Sequence, residues 1–266
     1  MAAAILSLRA LGLWLLGTCA CAGPRGDPVR PAPGPSDSLD AHLAHARALA
    51  DAGYTRAAVE IVAVLLERDP EHVESLRLKA RLHETLGEER AAIALYERLA
   101  GRASGDLDAV FRSGAARLRI GDLEEALPRL RRYAAEVPGD PSGRRTLAAA
   151  LYRKALDGGG GDAPLLGEAE GELRAARDLR PEDADIHHDL ASLLVVRGDA
   201  AGAEVEYRAA LEWNPDHLGA LEGLAELLEG QGRRAEARAL AARALRLERH
   251  PMRQRTLERL LREGGG

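Results

Sequence analysis

The chain has 266 residues, of which 46% are hydrophobic, 30% are charged and only 3% are aromatic. This balance is typical of a globular protein and excludes a chain that is disordered throughout. The formal net charge of −5 argues against nucleic acid as a main partner, because binding to a phosphate backbone needs a surplus of positive charge.

Residues 1–22 have the layout of a secretory signal peptide. Their apolar core, residues 11–16, precedes small residues and is too short for a membrane span. Residues 17–21 resemble a bacterial lipobox, which predicts lipidation at Cys21. Two alternatives remain open: simple cleavage that releases a soluble protein beginning at Gly23, and an N-terminus that is retained.

A proline-rich, disordered linker is predicted for residues 23–38. Its five prolines keep the backbone extended and prevent it from forming a core. In polyproline form, at about 3.1 Å per residue, the linker would span roughly 45 Å. That length suits a tether that holds a domain away from a membrane, and a leader without a tether role is the alternative.

From residue 39 onward the chain follows a period of 34 residues. Two series of small residues and one series of glycines recur with this period. The first series is Ala58, Ala92, Ala126, Ala169, Ala203 and Ala237; the second is Ala46, Ala80, Gly114, Ala148, Ala191 and Ala225; the third is Gly53, Gly87, Gly121, Gly198 and Gly232. The first two series each contain one step of 43, which predicts an insertion of nine residues around positions 157–164.

Each period predicts two helices joined by a tight turn. In the fifth period, residues 186–197 and 200–213 carry apolar residues three or four apart, and Gly198 between them predicts a left-handed turn. The recurring small residues are expected where two helices cross, since a large side chain would force the backbones apart. Pro128, inside a second helix, is expected to remove one hydrogen bond and to kink that helix. Four other prolines end second helices: Pro70, Pro138, Pro181 and Pro215.

This pattern resembles the tetratricopeptide repeat family. The matching residues of the fifth period are Leu190, Ala191, Gly198, Ala203, Tyr207, Ala210 and Pro215. The resemblance covers residues 39–250 and implies an all-α, right-handed α-solenoid of six helix–turn–helix repeats. The predicted repeats span residues 39–72, 73–106, 107–140, 141–183, 184–217 and 218–250. Residues 251–266 are predicted to form a capping helix and tail, and a tail that binds a partner is the alternative.

The sequence contains no signature of catalysis, of a cofactor or of a metal site. The glycine run 158–161 follows no strand and precedes no Lys-Ser/Thr pair, which indicates a flexible insertion. His42 and His45 lie one turn apart but lack a third ligand. The consecutive residues 187–189 (His-His-Asp) point in different directions on a helix, which argues against an imidazole–carboxylate pair. We therefore predict a protein that is not an enzyme and binds neither cofactor nor metal.

The resemblance implies a protein-binding groove lined by the first helix of each repeat. The repeat positions that face the groove in this family are occupied here by Arg77, Arg81, Phe111, Arg119, Arg145, Tyr152 and Arg153. Arginine suits carboxylate recognition and rings supply apolar anchors. Glu222, Glu226 and Glu229 would line its last repeat. We expect a groove that is basic in its middle and acidic toward its end to bind a protein segment of matching polarity. The alternative is that the arginines only solubilise the inner wall.

These features together predict a non-catalytic scaffold for protein–protein interaction. We expect it to be exported and lipid-anchored, in the periplasm or on the periplasmic side of the outer membrane. Its architecture resembles that of pilotin-type lipoproteins, which assist secretin and type IV pilus assembly. The alternatives are a non-catalytic subunit of an envelope enzyme that acts on cell wall or polysaccharide, and a cytosolic scaffold.

Overall fold

The computed structural model describes residues 38–102, 105–157 and 161–248, and five further residues near the C-terminus: Gln254, Arg255, Leu257, Glu258 and Leu261. The predicted signal peptide and its lipidation site at Cys21 lie outside the described residues. So do all but the last residue of the predicted linker, the centre of the insertion and most of residues 249–266.

Twelve α-helices lie within the described part of the chain, which contains no strand. They are α1 (Leu39–Asp51), α2 (Thr55–Arg68), α3 (Val73–Thr85), α4 (Glu89–Ala100), α5 (Leu107–Arg119), α6 (Leu123–Glu136), α7 (Pro141–Asp157), α8 (Ala163–Leu179), α9 (Ala184–Val196), α10 (Ala200–Trp213), α11 (Leu218–Gly230) and α12 (Arg234–Leu247). The predicted all-α class, built from paired helices, is confirmed.

The chain divides into two compact units, Met1–Arg129 and Leu130–Gly266, with the boundary inside α6. In the first unit α1 packs on α2 and α3 packs on α4, while α2–α3 and α4–α5 contacts join successive pairs. In the second unit the pairs are α7–α8, α9–α10 and α11–α12, joined through α8–α9 and α10–α11. The second helices α2, α4, α8 and α10 therefore each pack both on their own partner and on the next pair.

The recurring small residues lie where the paired helices meet. All eleven alanines of the two series are at most 2% exposed, and Gly114 is buried with them. A methyl group lets two helix backbones approach closely, whereas a longer side chain would separate them. The small-residue period is therefore the packing pattern of the helix pairs, as predicted.

Glycines with a left-handed backbone end the first helices, also as predicted. Gly198 has φ of +80°, and Gly53, Gly87, Gly121 and Gly232 adopt the same conformation. The N–H of Asp199 then donates to the carbonyl of Leu194 at 2.9 Å, which closes the end of α9. The short turn brings the two helices of a pair face to face.

The structure describes Pro128 and a part of the predicted C-terminal capping helix. Pro128 lies inside α6 without ending it, and the kink that it should cause stays a prediction. Near the C-terminus, Leu257 is buried in one cluster with Leu221 and Ala241, and Leu261 packs against that cluster. This is the contact that a capping helix would make, although Leu260 lies outside the described residues.

Candidate functional site

The predicted groove residues are carried by first helices: Arg77 and Arg81 by α3, Phe111 and Arg119 by α5, and the other three by α7. All seven side chains are exposed or half-buried. We call the surface formed by the first helices of a unit its inner face, and the surface formed by its second helices its outer face. The two units are described separately.

On the inner face of the first unit, each predicted arginine has a carboxylate beside it. Arg77 donates to Asp106 at 2.6 Å, and Arg119 donates to Glu84 at 2.7 Å. Arg81 lies 4.0 Å from Asp108. Carboxylates of this unit therefore offset part of the charge of its arginines, and the basic groove stays a prediction.

Asp106 links two successive repeats. One carboxylate oxygen accepts from the Ala109 N–H at 3.1 Å and caps α5, while the other accepts from Arg77 on α3. Burial opposes ionisation, but the bonds from Arg77 and Ala109 outweigh it and hold the pKa of Asp106 below its usual value. Arg77 is therefore committed to the fold rather than to a partner.

Glu84 is the centre of a second network in the first unit. The hydroxyl of Tyr96 donates to it at 2.5 Å, and Arg112 approaches it at 3.3 Å. Burial, and then Glu84 itself, raise the pKa of Tyr96 far above its usual value. Since Arg119 also binds Glu84, Arg81 is the predicted arginine of this unit that is held most loosely, with 52% of its side chain exposed.

The inner face of the second unit carries a network of arginine, aspartate and histidine. Arg145 donates to Asp189 at 2.6 Å and to Asp185 at 3.1 Å. His217 binds Asp185 through Nε2 at 3.0 Å, and its Nδ1 accepts from a backbone N–H at the start of α11. The network ties α7, α9 and the beginning of α11 together. Sequence analysis identified Arg145 but missed its partners.

His188 and Asp189 do form an imidazole–carboxylate pair, contrary to expectation. His188 Nδ1 lies 3.1 Å from an oxygen of Asp189. Neighbouring residues leave a helix in different directions, but a flexible carboxylate next to a ring can still bend back to it. The ring of His188 also lies against two others, with centroids 5.0 Å from that of His217 and 6.0 Å from that of Tyr207.

The pair is not arranged for nucleophilic catalysis. The nearby hydroxyl of Ser192 donates to the backbone carbonyl of His188 at 3.0 Å and lies 3.2 Å from the Tyr207 oxygen. His188 Nε2 faces α11, where a Cβ on Gly219 would lie 2.7 Å from it. A nucleophile must be within hydrogen-bond reach of its base, and Ser192 directs its proton elsewhere.

The network predicts a loss of stability in acid. A bond from His217 lowers the pKa of Asp185, and bonds from His188 and Arg145 lower that of Asp189 against the effect of its burial. A folded-state pKa below the unfolded value of about 4 gives stability that is complete above that pH and is lost as pH falls through the folded pKa. We expect Asp189→Asn to cost roughly 1 to 2 kcal/mol at neutral pH and to remove part of this acid dependence.

The free energy of unfolding is measured by urea unfolding between pH 6 and pH 2.5, with circular dichroism as the signal. The matched control is Asp216→Asn, because Asp216 is exposed and lies in the same unit. Equal slopes of stability against pH for the wild type and Asp189→Asn would show that Asp189 does not contribute.

Large apolar side chains are exposed near the ends of α7 and α9, which are first helices of the second unit. Val195, Val196 and Leu156 are 43%, 41% and 42% exposed, and Tyr152 is half-buried. Val195 and Val196 end α9 at the repeat positions that Glu84 and Thr85 occupy on α3. We call these four residues the apolar patch. Large apolar side chains that remain in contact with water are typical anchors for a protein partner.

The three glutamates predicted for the last repeat follow one side of α11. Glu226 is exposed, and Glu222 and Glu229 are half-buried. Their spacing of four and three residues places them on one helical stripe. The inner face of the second unit thus offers apolar, basic and acidic groups.

Neither a metal site nor a membrane span is found in the described part of the chain. It contains no group of three or more His, Cys, Asp or Glu side chains able to hold a metal ion. None of its helices combines the length and the apolar character needed to cross a bilayer. Of the two early histidines, His42 binds the Ser38 carbonyl through Nδ1 at 3.1 Å, whereas burial and then His42 lower the pKa of His45.

Known proteins share these repeats. Profiles described as tetratricopeptide repeat match residues 43–106, 86–141 and 194–260. The chain is 28% identical to Tetratricopeptide repeat protein 8 of Caenorhabditis elegans over 191 residues. The aligned stretch covers 69% of this chain and 35% of that protein.

Two bacterial relatives are named after cellulose synthase operons. Cellulose synthase operon protein C of Xanthomonas axonopodis pv. citri (strain 306) is 36% identical over 151 residues, 54% of this chain and 9% of that protein. Cellulose synthase 2 operon protein C of Komagataeibacter xylinus is 32% identical over 209 residues, 77% of this chain and 15% of that protein. The chain thus spans about a third or less of the length of the curated relatives it matches.

Solved structures of the same fold are also similar. TTC0263, a tetratricopeptide repeat protein of Thermus thermophilus, matches with a TM-score of 0.55 and 28% identity over 70% of this chain and 96% of its own. YrrB, whose structure is described as having an unusual peptide-binding site, matches with a TM-score of 0.57 and 19% identity over 70% and 90%. The second likeness concerns the fold alone.

Proposed function

This chain belongs to the tetratricopeptide repeat family, and from that premise we propose that it is a non-catalytic scaffold whose inner faces bind segments of other proteins. The observation that carries the proposal is the apolar patch. Val196 is 41% exposed at the repeat position where the first unit carries Asp51, Thr85 and Arg119, and its neighbour Val195 is 43% exposed. More than 40% of each valine therefore stays in contact with water after its helix pair has packed.

The surroundings of the patch indicate what kind of segment would fit it. Arg145 and Arg153 lie on α7 on one side, and the glutamates of α11 lie on the other. A partner segment with an apolar centre and charges of both signs would match this order. Arg145 contributes by releasing its carboxylates within the chain and binding those of the partner segment. This exchange costs little, because each described partner of Arg145 is itself at least 31% exposed and such surface ion pairs are weak.

The proposed setting is the cell envelope, with export by the N-terminal segment and a lipid at Cys21. The signal-like composition of residues 1–22 supports this, and so do two relatives named after cellulose synthase operons. Those names also support a second candidate, a non-catalytic subunit of an envelope enzyme that acts on polysaccharide. A purified protein with an intact, unmodified N-terminus by mass spectrometry would reject export and favour a cytosolic scaffold.

The scaffold function is tested by capture of partners. We expect the full chain to retain one or more proteins from an envelope extract, and Val195→Glu/Val196→Glu to weaken binding of a captured segment at least tenfold, as loss of a binding hot spot does. The affinity is measured by titration calorimetry with a synthetic peptide. Ile120→Glu is the matched control, because Ile120 is 43% exposed in the first unit.

Equal affinities for the wild type and the double variant would reject the apolar patch as the binding site. Turnover by the purified chain that is lost on mutation of one of its own polar residues would reject the non-catalytic role.

A further inference from the structure

The outer face of the second unit exposes a row of large apolar side chains. Leu179, Trp213 and Leu247 are 47%, 57% and 38% exposed, and they end α8, α10 and α12 respectively. They are spaced 34 residues apart and so occupy one position of the repeat. Val205, earlier on α10, is 65% exposed and adds to the same surface.

The first unit does not share this feature. At the position of the row it carries Arg68 at the end of α2 and Arg102 just after α4, and at the position of Val205 it carries Glu60 on α2 and the small Ala94 on α4. A helix pair therefore does not need an apolar residue at these places in order to fold. The row is a property of the second unit, and apolar area of this kind on a soluble surface usually marks a contact.

The three helices that carry the row lie side by side. Arg177 of α8 donates to Glu206 of α10 at 2.9 Å, and Arg208 of α10 lies 3.6 Å from Glu236 of α12. The groove between α10 and α12 is a shallow cleft of about 410 Å³, whose lining includes Leu211 of α10, Leu224 of α11 and Leu240 of α12.

The pattern of the row fits a second copy of the same chain. The row has the order leucine, tryptophan, leucine, which is the same in both directions. A two-fold axis that runs along α10 exchanges the α8 and α12 sides of the face, and so it needs similar residues on both sides. Such an axis places Trp213 against its equivalent and Leu179 of one copy against Leu247 of the other. The axis would run parallel to the helices, so that residues at equal heights meet.

Charge supports the same arrangement. The residues that precede Leu179 and Leu247 are Asp178 and Arg246, which have opposite signs and are both exposed. The two-fold axis brings Asp178 of one copy to Arg246 of the other, and it does so twice. We propose that the outer face of the second unit joins two copies of this chain, and this proposal does not depend on what the inner faces bind.

The test is sedimentation velocity of the full chain at concentrations from about 1 to 100 μM. This range covers the dissociation constants expected for a small interface between two copies. We expect a concentration-dependent dimer in the wild type. Trp213→Glu should raise the dissociation constant at least tenfold, because it removes the central anchor. Val196→Glu on the inner face is the control and should dimerise like the wild type.

Charge reversal tests the register. Asp178→Arg and Arg246→Asp should each weaken the dimer roughly threefold to tenfold, because each creates two like-charge contacts. The double variant should recover most of the wild-type affinity. Unchanged circular dichroism shows that each variant is folded.

The outcomes separate this proposal from others. A wild type that is monomeric throughout, as it would be if its own N-terminal segment covered the face, overturns the proposal. So does a dimer that survives both Trp213→Glu and the charge reversals. Loss of dimerisation with retained partner capture would leave the scaffold function intact.

Discussion

Replacement of Glu206 by alanine is expected to lower the free energy of unfolding by about 3 kcal/mol. Glu206 is 9% exposed and lies on α10, where it accepts a hydrogen bond from His187 at 2.6 Å and one from Arg177 at 2.9 Å. Its removal would leave a buried ring nitrogen of His187 without its partner, whereas Arg177 would keep Asp178 at 3.0 Å. A buried polar group without a partner costs more than the lost hydrogen bond alone.

The cost depends on the hydrogen bonds of the His187 ring. Its Nε2 lies 2.8 Å from the carbonyl oxygen of Pro181, and its Nδ1 faces the carboxylate of Glu206. With 6% of its surface exposed, the ring cannot turn to water when Glu206 is absent, so that Nδ1 would stay buried without a partner. It joins the turn at the end of α8 to α9 and α10.

Urea unfolding at pH 7 measures this effect. Glu212→Ala, an exposed glutamate on the same helix, should change stability by no more than about 0.5 kcal/mol. In a Glu206→Ala background, His187→Leu should restore part of the loss, because the buried polar ring without a partner is then gone. Equal stability of Glu206→Ala and Glu212→Ala would contradict the account.

The helix pairs could be predicted from the sequence because their determinants are local and repeated. A small residue at each crossing and a glycine at each turn recur every 34 residues, so that one misread position is corrected by the others. Ala203 and Gly198, for example, have the burial and the backbone conformation that their places in the series require.

The contacts between side chains were harder to predict, because they depend on distance in space. Arg145 binds Asp185 and Asp189, which are 40 and 44 residues away and lie beyond the insertion. His217 caps α11 with a ring nitrogen, although serine, threonine, aspartate and asparagine are the usual caps. The positions that face the groove in this family predicted arginines on the inner faces. They could not show that carboxylates of neighbouring repeats would bind those arginines.

The two faces of the second unit differ in a way that the repeat pattern alone does not reveal. The period fixes which residues must be small and buried, and it leaves the exposed positions free to vary. Val196 on the inner face and Trp213 on the outer face both occupy such free positions. Because more than 40% of each side chain stays in contact with water, we expect each to be informative about binding and to tolerate substitution without the loss of a helix pair.

Gly223→Ala is expected to lower the free energy of unfolding by about 2 kcal/mol, although alanine is the better helix former by about 1 kcal/mol. The reason is the close approach of α11 to Tyr207, which is 4% exposed and has its hydroxyl 3.2 Å from Ser192. A Cβ on Gly223 would lie 2.7 Å from Cε1 of that ring. The ring is enclosed by neighbours, so that it cannot move aside without breaking its own packing.

The comparison that isolates this clash is Gly171→Ala. Gly171 lies in the middle of α8, and no neighbouring atom lies within 4 Å of the place that a methyl group would occupy there. The same substitution at this position should therefore raise stability by about 0.5 to 1 kcal/mol. The two variants should thus shift the urea midpoint in opposite directions. In a Tyr207→Ala background the obstacle is gone, and Gly223→Ala should then stabilise as Gly171→Ala does. If Gly223→Ala remains destabilising without the ring, the close approach to Tyr207 is not its cause.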